Sequence, residues 1–283
     1  MSMSVLQPGL LSLIQDQGRI GWQRIGLTNG GPLDPEAFFW CNRLLGNNAN
    51  CSAIEVSFGG LQLAANVDTF ICVTGATMPL HIDNLPHDLW QVHPIKAGQT
   101  IDLGFAGSGC RAYFGVADGF QITPQFGSSA TVVREEIGGL GGDKLQPGDQ
   151  LPCAEVGTRR RCRLASDAQP HYHRDIEVRV IPGYQQARFS RLQQRRFFSS
   201  SYTVSDRCDR MGYRLEGPAI HCEIEGILSE GICYGAIQVP ADGQPIVLLN
   251  DRQTIGGYPK IGSALSLDAA RLAQLTPGGS VHF

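Results

Sequence analysis

The chain has no surplus of basic residues, no long apolar run and no closely paired cysteines, and each absence removes a class of function. Lys and Arg number 23 against 26 Asp and Glu, a formal net charge of −3. That leaves no positive excess to neutralise a phosphate backbone, so a nucleic-acid partner is not expected. Nowhere do 18 apolar residues follow one another, which argues against a membrane-spanning helix. The opening residues Met1 to Gly9 carry neither a basic stretch nor an apolar one, so no export signal is expected. Nine cysteines are present, but none in the C-x-x-C spacing that zinc and redox sites favour. Cys51, Cys72, Cys110, Cys222 and Cys233 stand among apolar neighbours and read as small buried hydrophobes. That usage suits the reducing cytoplasm. G-x-S-x-G, H-E-x-x-H and G-x-x-x-x-G-K-[ST] are also missing.

What the chain does have is glycine, 35 residues of it, and 16 prolines, which punctuate many short Val/Ile/Leu-rich runs. This is the pattern of a mainly β protein full of turns. Strands are expected at Thr69 to Thr74, Cys110 to Val116, Ile176 to Ile181 and Pro245 to Leu249. Three helices interrupt them. Asp34-Pro35-Glu36 supplies a cap, a first-turn proline and an acid for the first, and Gly46 stops it. A second starts at Ser266 and runs through Ala273, and a third covers about Arg191 to Arg196. One turn-strand unit recurs at Ile95 to Leu103, Leu145 to Leu151 and Leu275 to Phe283, each with glycine in the turn. The polar stretch from Gly157 to Pro170 marks a boundary between a β-rich half, 1–165, and a β-barrel half, 171–283.

Five segments crowd polar residues against glycines. Gln15-Asp16-Gln17-Gly18-Arg19 could hold a polar amide; taken alone, it reads first as an Asp16–Arg19 ion pair fastening the N-terminal loop. Asn29 to Asp34 leads into a helix N-terminus that could bind an anion, although Asp34 itself fits the role of cap. Phe126 to Thr131 with Gly138-Gly139-Leu140-Gly141-Gly142-Asp143 reads as a mobile, backbone-rich loop, outside any phosphate-loop context. Arg210 and Arg214 could grip a carboxylate or phosphoryl group, or simply pair with Asp209 and Glu216. The densest segment runs from Gly235 to Lys260 and includes Gln238, Asp251, Gln253, Thr254 and Tyr258 around a Gly-Gly turn. Lys260 or Asp251 could move protons if buried with partners, or be merely solvated. His171 and His173 have a spacing that could ligate a metal, but they fall at the boundary and read as unliganded.

In order along the chain, these blocks resemble the allophanate-hydrolase-subunit-2 (KipA) family. The match runs over P-G-x-x-x-x-x-Q-D-x-G-R-x-G at 8–21, the Asp34 helix ending Asn42-Arg43-Leu44-Leu45-Gly46-Asn47, Glu55 to Gly59, and Gly75-Ala76. It continues through Pro182-Gly183-Tyr184-Gln185, Asp209-Arg210-Met211-Gly212 and the 235–260 block. The family includes the C subunit of 5-oxoprolinase, KipA antagonists of a sporulation kinase inhibitor, and the carboxyltransferase part of urea carboxylase. The resemblance implies a mainly β, cyclophilin-like β-barrel architecture in two halves with a few short helices. It further implies an enzyme component, inactive alone, that acts with two others, the KipI-like B subunit and the A subunit of 5-oxoprolinase. That assembly hydrolyses ATP to open the ring of 5-oxoproline and yield glutamate. ATP is expected at the level of the complex, with neither a metal nor a biotin attachment site in this chain. Alternatives are a urea-type carboxyltransferase component and a KipA-like regulator without chemistry. Within the matching blocks, Asp16, Arg210, Gln253 and Tyr258 are expected in catalysis, and Gln15, Arg19, Arg214, Gln238 and Thr254 in substrate binding. Cys208 stands where the family often has serine, and Asp143-Lys144 where it has arginine after the glycines; both bear on specificity.

Overall fold

A computed structural model describes residues 1–224 and 226–283. Strands dominate, three α-helices are present among the described residues, and the architecture is the mainly β, cyclophilin-like barrel type expected. The chain divides into two units, Met1–Ile20 with Gly30–Tyr172, and Gly21–Asn29 with His173–Phe283.

In the first unit, two antiparallel sheets share one core. The six-stranded sheet runs in the order Gln150–Pro152, Ser2–Pro8, Leu61–Ala65, Thr100–Leu103, Leu80–Ile82, Leu85–His87. The five-stranded sheet runs Leu11–Gln15, Ala53–Ser57, Ser108–Val116, Thr69–Thr77, Val92–Ile95. Val5, Leu63 and Ile101 of the first meet Val56, Val73 and Phe114 of the second in a fully buried cluster. The helix Pro35–Leu45 covers the other face of the five-stranded sheet, setting Phe38, Cys41 and Leu45 against Phe70, Cys72 and Tyr113. Ser108–Val116 is therefore buried on both faces, which is why its sequence alternates poorly. Gly115 permits the close approach of the helix, because a Cβ there would lie 2.6 Å from Cys41 Sγ. The helix forms where its local signals place it. Asp34 accepts from Ala37 N–H at 3.1 Å, Pro35 occupies the first turn, and Gly46 closes the end with φ 69°.

The second unit is built on an eight-stranded sheet in the order Asp175–Glu177, Ser280–His282, Ser201–Cys208, Gly212–Glu216, Ile246–Leu248, Ala236–Gln238, Lys260–Ala264, Val180–Pro182. The first pair is parallel and the others antiparallel. The single strand expected over Ile176 to Ile181 is two strands, at opposite edges of this sheet. Only Val178 and Arg179 separate them, so the sheet must curl until its first and last strands meet in one stretch of chain. Val178 is fully buried at this junction and its N–H donates to His282 O at 2.7 Å. Strict alternation predicted the extended backbone but carried no information about the change of partner. A ribbon of two residue pairs, Glu230–Gly231 with Ile255–Gly256, stands apart from the large sheet.

The recurring turn-strand unit has the same geometry three times. Gly98, Gly148 and Gly278 have φ of 92°, 92° and 82°. Each glycine N–H donates to a residue of a neighbouring strand (Ala65, Val5 and Val204), whose own N–H donates back to the carbonyl of the residue after the glycine. The cysteines are less uniform than expected. Cys72 and Cys110 are buried, Cys51 and Cys222 are half-buried, and Cys233 is exposed beside Ser263. In the turn that carries Cys233, Ile232 supplies the core contact instead.

Candidate functional site

The polar residues of the N-terminal block lie inside the first unit. Asp16 is buried and its carboxylate accepts from Gly18 N (2.9 Å), Ser128 Oγ (2.5 Å), Ser129 N (2.7 Å) and Ser129 Oγ (3.1 Å). Arg19, 1% exposed, donates to the carbonyls of Gln125, Ser128 and Ala130. Gln15 donates to Thr131 O and accepts from Gly31 N. All three side chains bind backbone of this unit, and Asp16 and Arg19 both bind the 125–131 segment. Where an Asp16–Arg19 ion pair was expected, the two side chains are linked through the 125–131 segment that both bind.

The glycine run that read as a mobile loop is packed hard. Cβ atoms at Gly138, Gly139 and Gly142 would lie 2.0, 2.2 and 2.1 Å from Ala130 O, Thr131 Oγ1 and Glu136 C. Gly139 N donates to Ser129 O and Gly142 N to Gly138 O, both at 2.8 Å. These glycines are required by close approach of the chain to itself at 138, 139 and 142.

A second buried network centres on Tyr113, which sequence reasoning passed over. Its hydroxyl donates to Glu55 Oε2 at 2.7 Å and accepts from Asp34 N at 2.8 Å, while Tyr172 donates to Asp34 Oδ2 at 2.8 Å. Burial, reinforced by Glu55 and Asp34, pushes the Tyr113 hydroxyl far above the ordinary range and keeps it protonated. The available signal was Glu55 itself, an acid in the middle of the apolar strand Ala53–Ser57, which must have partners to be buried there.

In the second unit the two candidate arginines part company. Arg210 is buried and forms a two-pronged pair with Asp251, Nε to Oδ2 at 2.8 Å and Nη2 to Oδ1 at 2.9 Å. Arg214 lies nearer the surface and pairs with Asp242. Asp209 instead accepts from Met211 N and Gly212 N and closes its own turn. The carboxylates therefore come from 41 and 28 residues away in sequence.

The 235–260 block does gather. Gln238 and Lys260 are cross-strand partners, and Lys260 Nζ stands 2.5 Å from Glu230 Oε1. Gln185 donates to the same Glu230 oxygen at 2.8 Å and accepts from Lys260 N at 3.2 Å. Lys260 and Gln185 together hold the Glu230 carboxyl below the usual carboxylate range. Gln238 is 5% exposed, and its Nε2 is buried without an acceptor among the described residues, whereas Lys260 Nζ has Glu230 as its partner. An unpaired buried donor costs about 1–3 kcal/mol, which a ligand oxygen would offset. Gln253 and Tyr258 are exposed and Thr254 half-buried on the loop that leads to Lys260. Neither Glu230 nor Gln185 was singled out as a site residue, because only the sheet pairing brings them to Lys260. Chemically, Gln15 and Asp16 are tied to neighbouring groups of the first unit, whereas this cluster presents an open donor, Gln238 Nε2, beside the Lys260–Glu230 ion pair.

Among the described residues, no group of three or more His, Cys, Asp or Glu side chains could hold a metal ion, and no helix is long and apolar enough to cross a membrane. Residues 25–283 match the family described as carboxyltransferase domain, subdomain A and B. The chain is 36% identical over 283 residues to the C subunit of 5-oxoprolinase from Escherichia coli (strain K12), covering 99% of this chain and 90% of that one. It is 37% identical to the protein of the same name from Haemophilus influenzae, covering 95% and 86%. The solved structure of TTHA0988 superposes with a TM-score of 0.90 at 31% identity over all of this chain and 55% of that one. Kluyveromyces lactis urea amidolyase gives 0.90 at 26% identity, over all of this chain and 18% of that one. This chain thus spans about half of the first solved relative and nearly all of the two bacterial proteins. On the family match and on identity at this length, the chain belongs to the carboxyltransferase-domain family, subdomains A and B, to which the allophanate-hydrolase-subunit-2 resemblance pointed.

Proposed function

We propose that this chain is the C subunit of a cytoplasmic, ATP-dependent 5-oxoprolinase. It would work with the A subunit and the KipI-like B subunit of that enzyme to hydrolyse 5-oxo-L-proline to L-glutamate. The observation that carries this reading is similarity along nearly the whole of two bacterial proteins named as the C subunit of 5-oxoprolinase. The open donor of Gln238, beside the Lys260 ammonium, suits it, because the substrate is a small ring amide rich in acceptor oxygens. ATP belongs to the assembly in this reading. No ATP step is assigned to this chain.

Within the chain, Lys260 and Gln238 hold the substrate, and Gln253, Thr254 and Tyr258 border it from the adjoining loop. Arg210, locked on Asp251, fixes the turn 209–212 and the end of strand Ile246–Leu248 rather than reaching outward. Gln15, Asp16 and Arg19 act by holding the 125–131 segment. Arg214, paired with Asp242, has the exposure to meet a substrate or partner directly.

A second reading has a specific observation behind it. Urea amidolyase of Saccharomyces cerevisiae matches all of this chain at 28% identity, with 16% of its own length covered. The domain could therefore serve carboxyl transfer to a urea-type amide if other chains supplied the remaining parts. One experiment separates the two: glutamate release from 5-oxoproline and ATP, with the A and B subunits from the same source, with and without this chain. Release that requires this chain is the expected result. No release from folded, associated components would overturn the proposal and favour carboxyl transfer or partner regulation.

A further inference from the structure

Gln238 and Lys260 oppose each other on the hydrogen-bonded strands Ala236–Gln238 and Lys260–Ala264, and residues opposed in this way present their side chains on one face. The side chain of Lys260 is only 12% exposed, and that of Gln238 is almost wholly buried. Both buried nitrogens, Lys260 Nζ and Gln238 Nε2, donate only; Gln238 Nε2 has no acceptor among the described residues, and Lys260 Nζ is paired there with Glu230. A buried amide donor left in this state calls for an acceptor, and a positive ammonium beside it favours an anionic oxygen.

The negative charge nearest to Lys260 belongs to Glu230, whose side chain is 44% exposed. It stands on the ribbon of two residue pairs, Glu230 with Gly256 and Gly231 with Ile255. The ribbon is short, flanked by one backbone hydrogen bond on each side, Ile227 N to Gly257 O and Ile232 N to Thr254 O. Gly256, on the other side of the ribbon, lies over the Gln238 amide, since a Cβ there would come within 2.8 Å of Nε2 and 2.5 Å of Ile232 Cδ1. The ribbon thus covers both donors, with a carboxylate against one and bare backbone against the other.

We propose that Lys260 and Gln238 form a binding site for a small carboxylate, and that Glu230 occupies the place of the ligand's carboxylate in the free chain. On binding, the ligand's carboxylate takes Lys260 over from Glu230 and accepts the hydrogen bond that Gln238 has to give. The ribbon moves aside with Glu230, which stays bonded to Gln185. The choice of ligand rests on the 5-oxoprolinase reading, because 5-oxoproline carries such a carboxylate beside its ring amide; the site itself does not.

The test is a titration of the full chain followed through the Gln238 side-chain amide resonance. Three probes are used: 5-oxoproline, propionate, and 2-pyrrolidinone, which is the same ring without the carboxylate. 5-Oxoproline and propionate should shift that resonance and 2-pyrrolidinone should not. Glu230→Gln should tighten 5-oxoproline binding about fivefold, the scale of a half-exposed ion pair. Lys260→Met should abolish binding, and Lys260→Arg should retain part of it, which guards against a folding artefact. Equal binding of 2-pyrrolidinone, weaker binding in Glu230→Gln, or unchanged binding in Lys260→Met would each overturn the proposal. Carboxylate binding without glutamate release in the full assembly would remove the 5-oxoprolinase reading and leave the site standing. Release without carboxylate binding at Lys260 would do the reverse.

Discussion

Asp16 shows how a polar residue can look catalytic in the sequence and be tied up in the fold. Its four accepted hydrogen bonds come from Gly18, Ser128 and Ser129. Asp16→Ala leaves buried N–H and hydroxyl donors without a charged acceptor and should cost about 3 kcal/mol or more in urea unfolding. If Asp16 takes part in catalysis, Asp16→Asn should remove activity while the protein stays folded. If activity instead tracks the folded fraction, its role is to hold the segment. His93 carries a second prediction at this scale. Burial, with help from His87 and Arg161 and against the Asp88 carbonyl, keeps its pKa below the ordinary value. The folded state therefore favours neutral imidazole. This contribution is complete above the unfolded value, about 6.5, and is lost as pH falls below it. His93→Gln should flatten the fall in stability between pH 7 and 5.5; an unchanged slope would assign that fall to other groups. Residues of this kind were visible in the sequence as types, but their partners were not. Asp16 meets Ser129 across 113 positions and Arg210 meets Asp251 across 41, distances over which composition and spacing carry no information.

Elements were read best where their signals are local. The helix Pro35–Leu45 announces itself through a cap, a proline and a terminal glycine within its own span, and it forms there. The glycine run 138–142 shows the opposite case, since glycine reports the conformations it permits and says nothing of the neighbours that demand it. Gly138→Ala should be costly, because φ is 78° and the new Cβ would meet Ala130 O. About 2–4 kcal/mol is expected from strain and overpacking together. Gly127→Ala, at φ 79° with nothing within 4 Å, should cost only about 1 kcal/mol. Equal losses in thermal or urea unfolding would mean that backbone conformation, and not the close approach, sets the cost. The candidate site was half legible on the same grounds. Gln238 and Lys260 lie in one dense block, while Glu230 and Gln185 reach it only through the ribbon and the register of the sheet.

At the scale of the whole molecule, the mainly β character followed from glycine-punctuated apolar runs, but the closing of the second unit's sheet did not. Closure depends on one short stretch, 175–182, serving both edges, with Val178 buried between them. Val178→Ala should lower stability by about 2 kcal/mol. It should also raise hydrogen exchange in Ser280–His282 and Lys260–Ala264, the strands that pair on either side of the junction. Exchange that rises uniformly through the unit, or not at all, would show that the junction does not govern closure.

The allocation of Gly21–Asn29 to the second unit has a consequence for synthesis. This segment leaves the ribosome early, and the rest of its unit begins only at His173. At ordinary elongation rates, on the order of ten seconds or more pass before its companions exist. The residues of the first unit are all available in that interval, while the nine residues 21–29 still lack the partners of their own unit. During synthesis, therefore, the second unit gains its last parts after the first has all of its own.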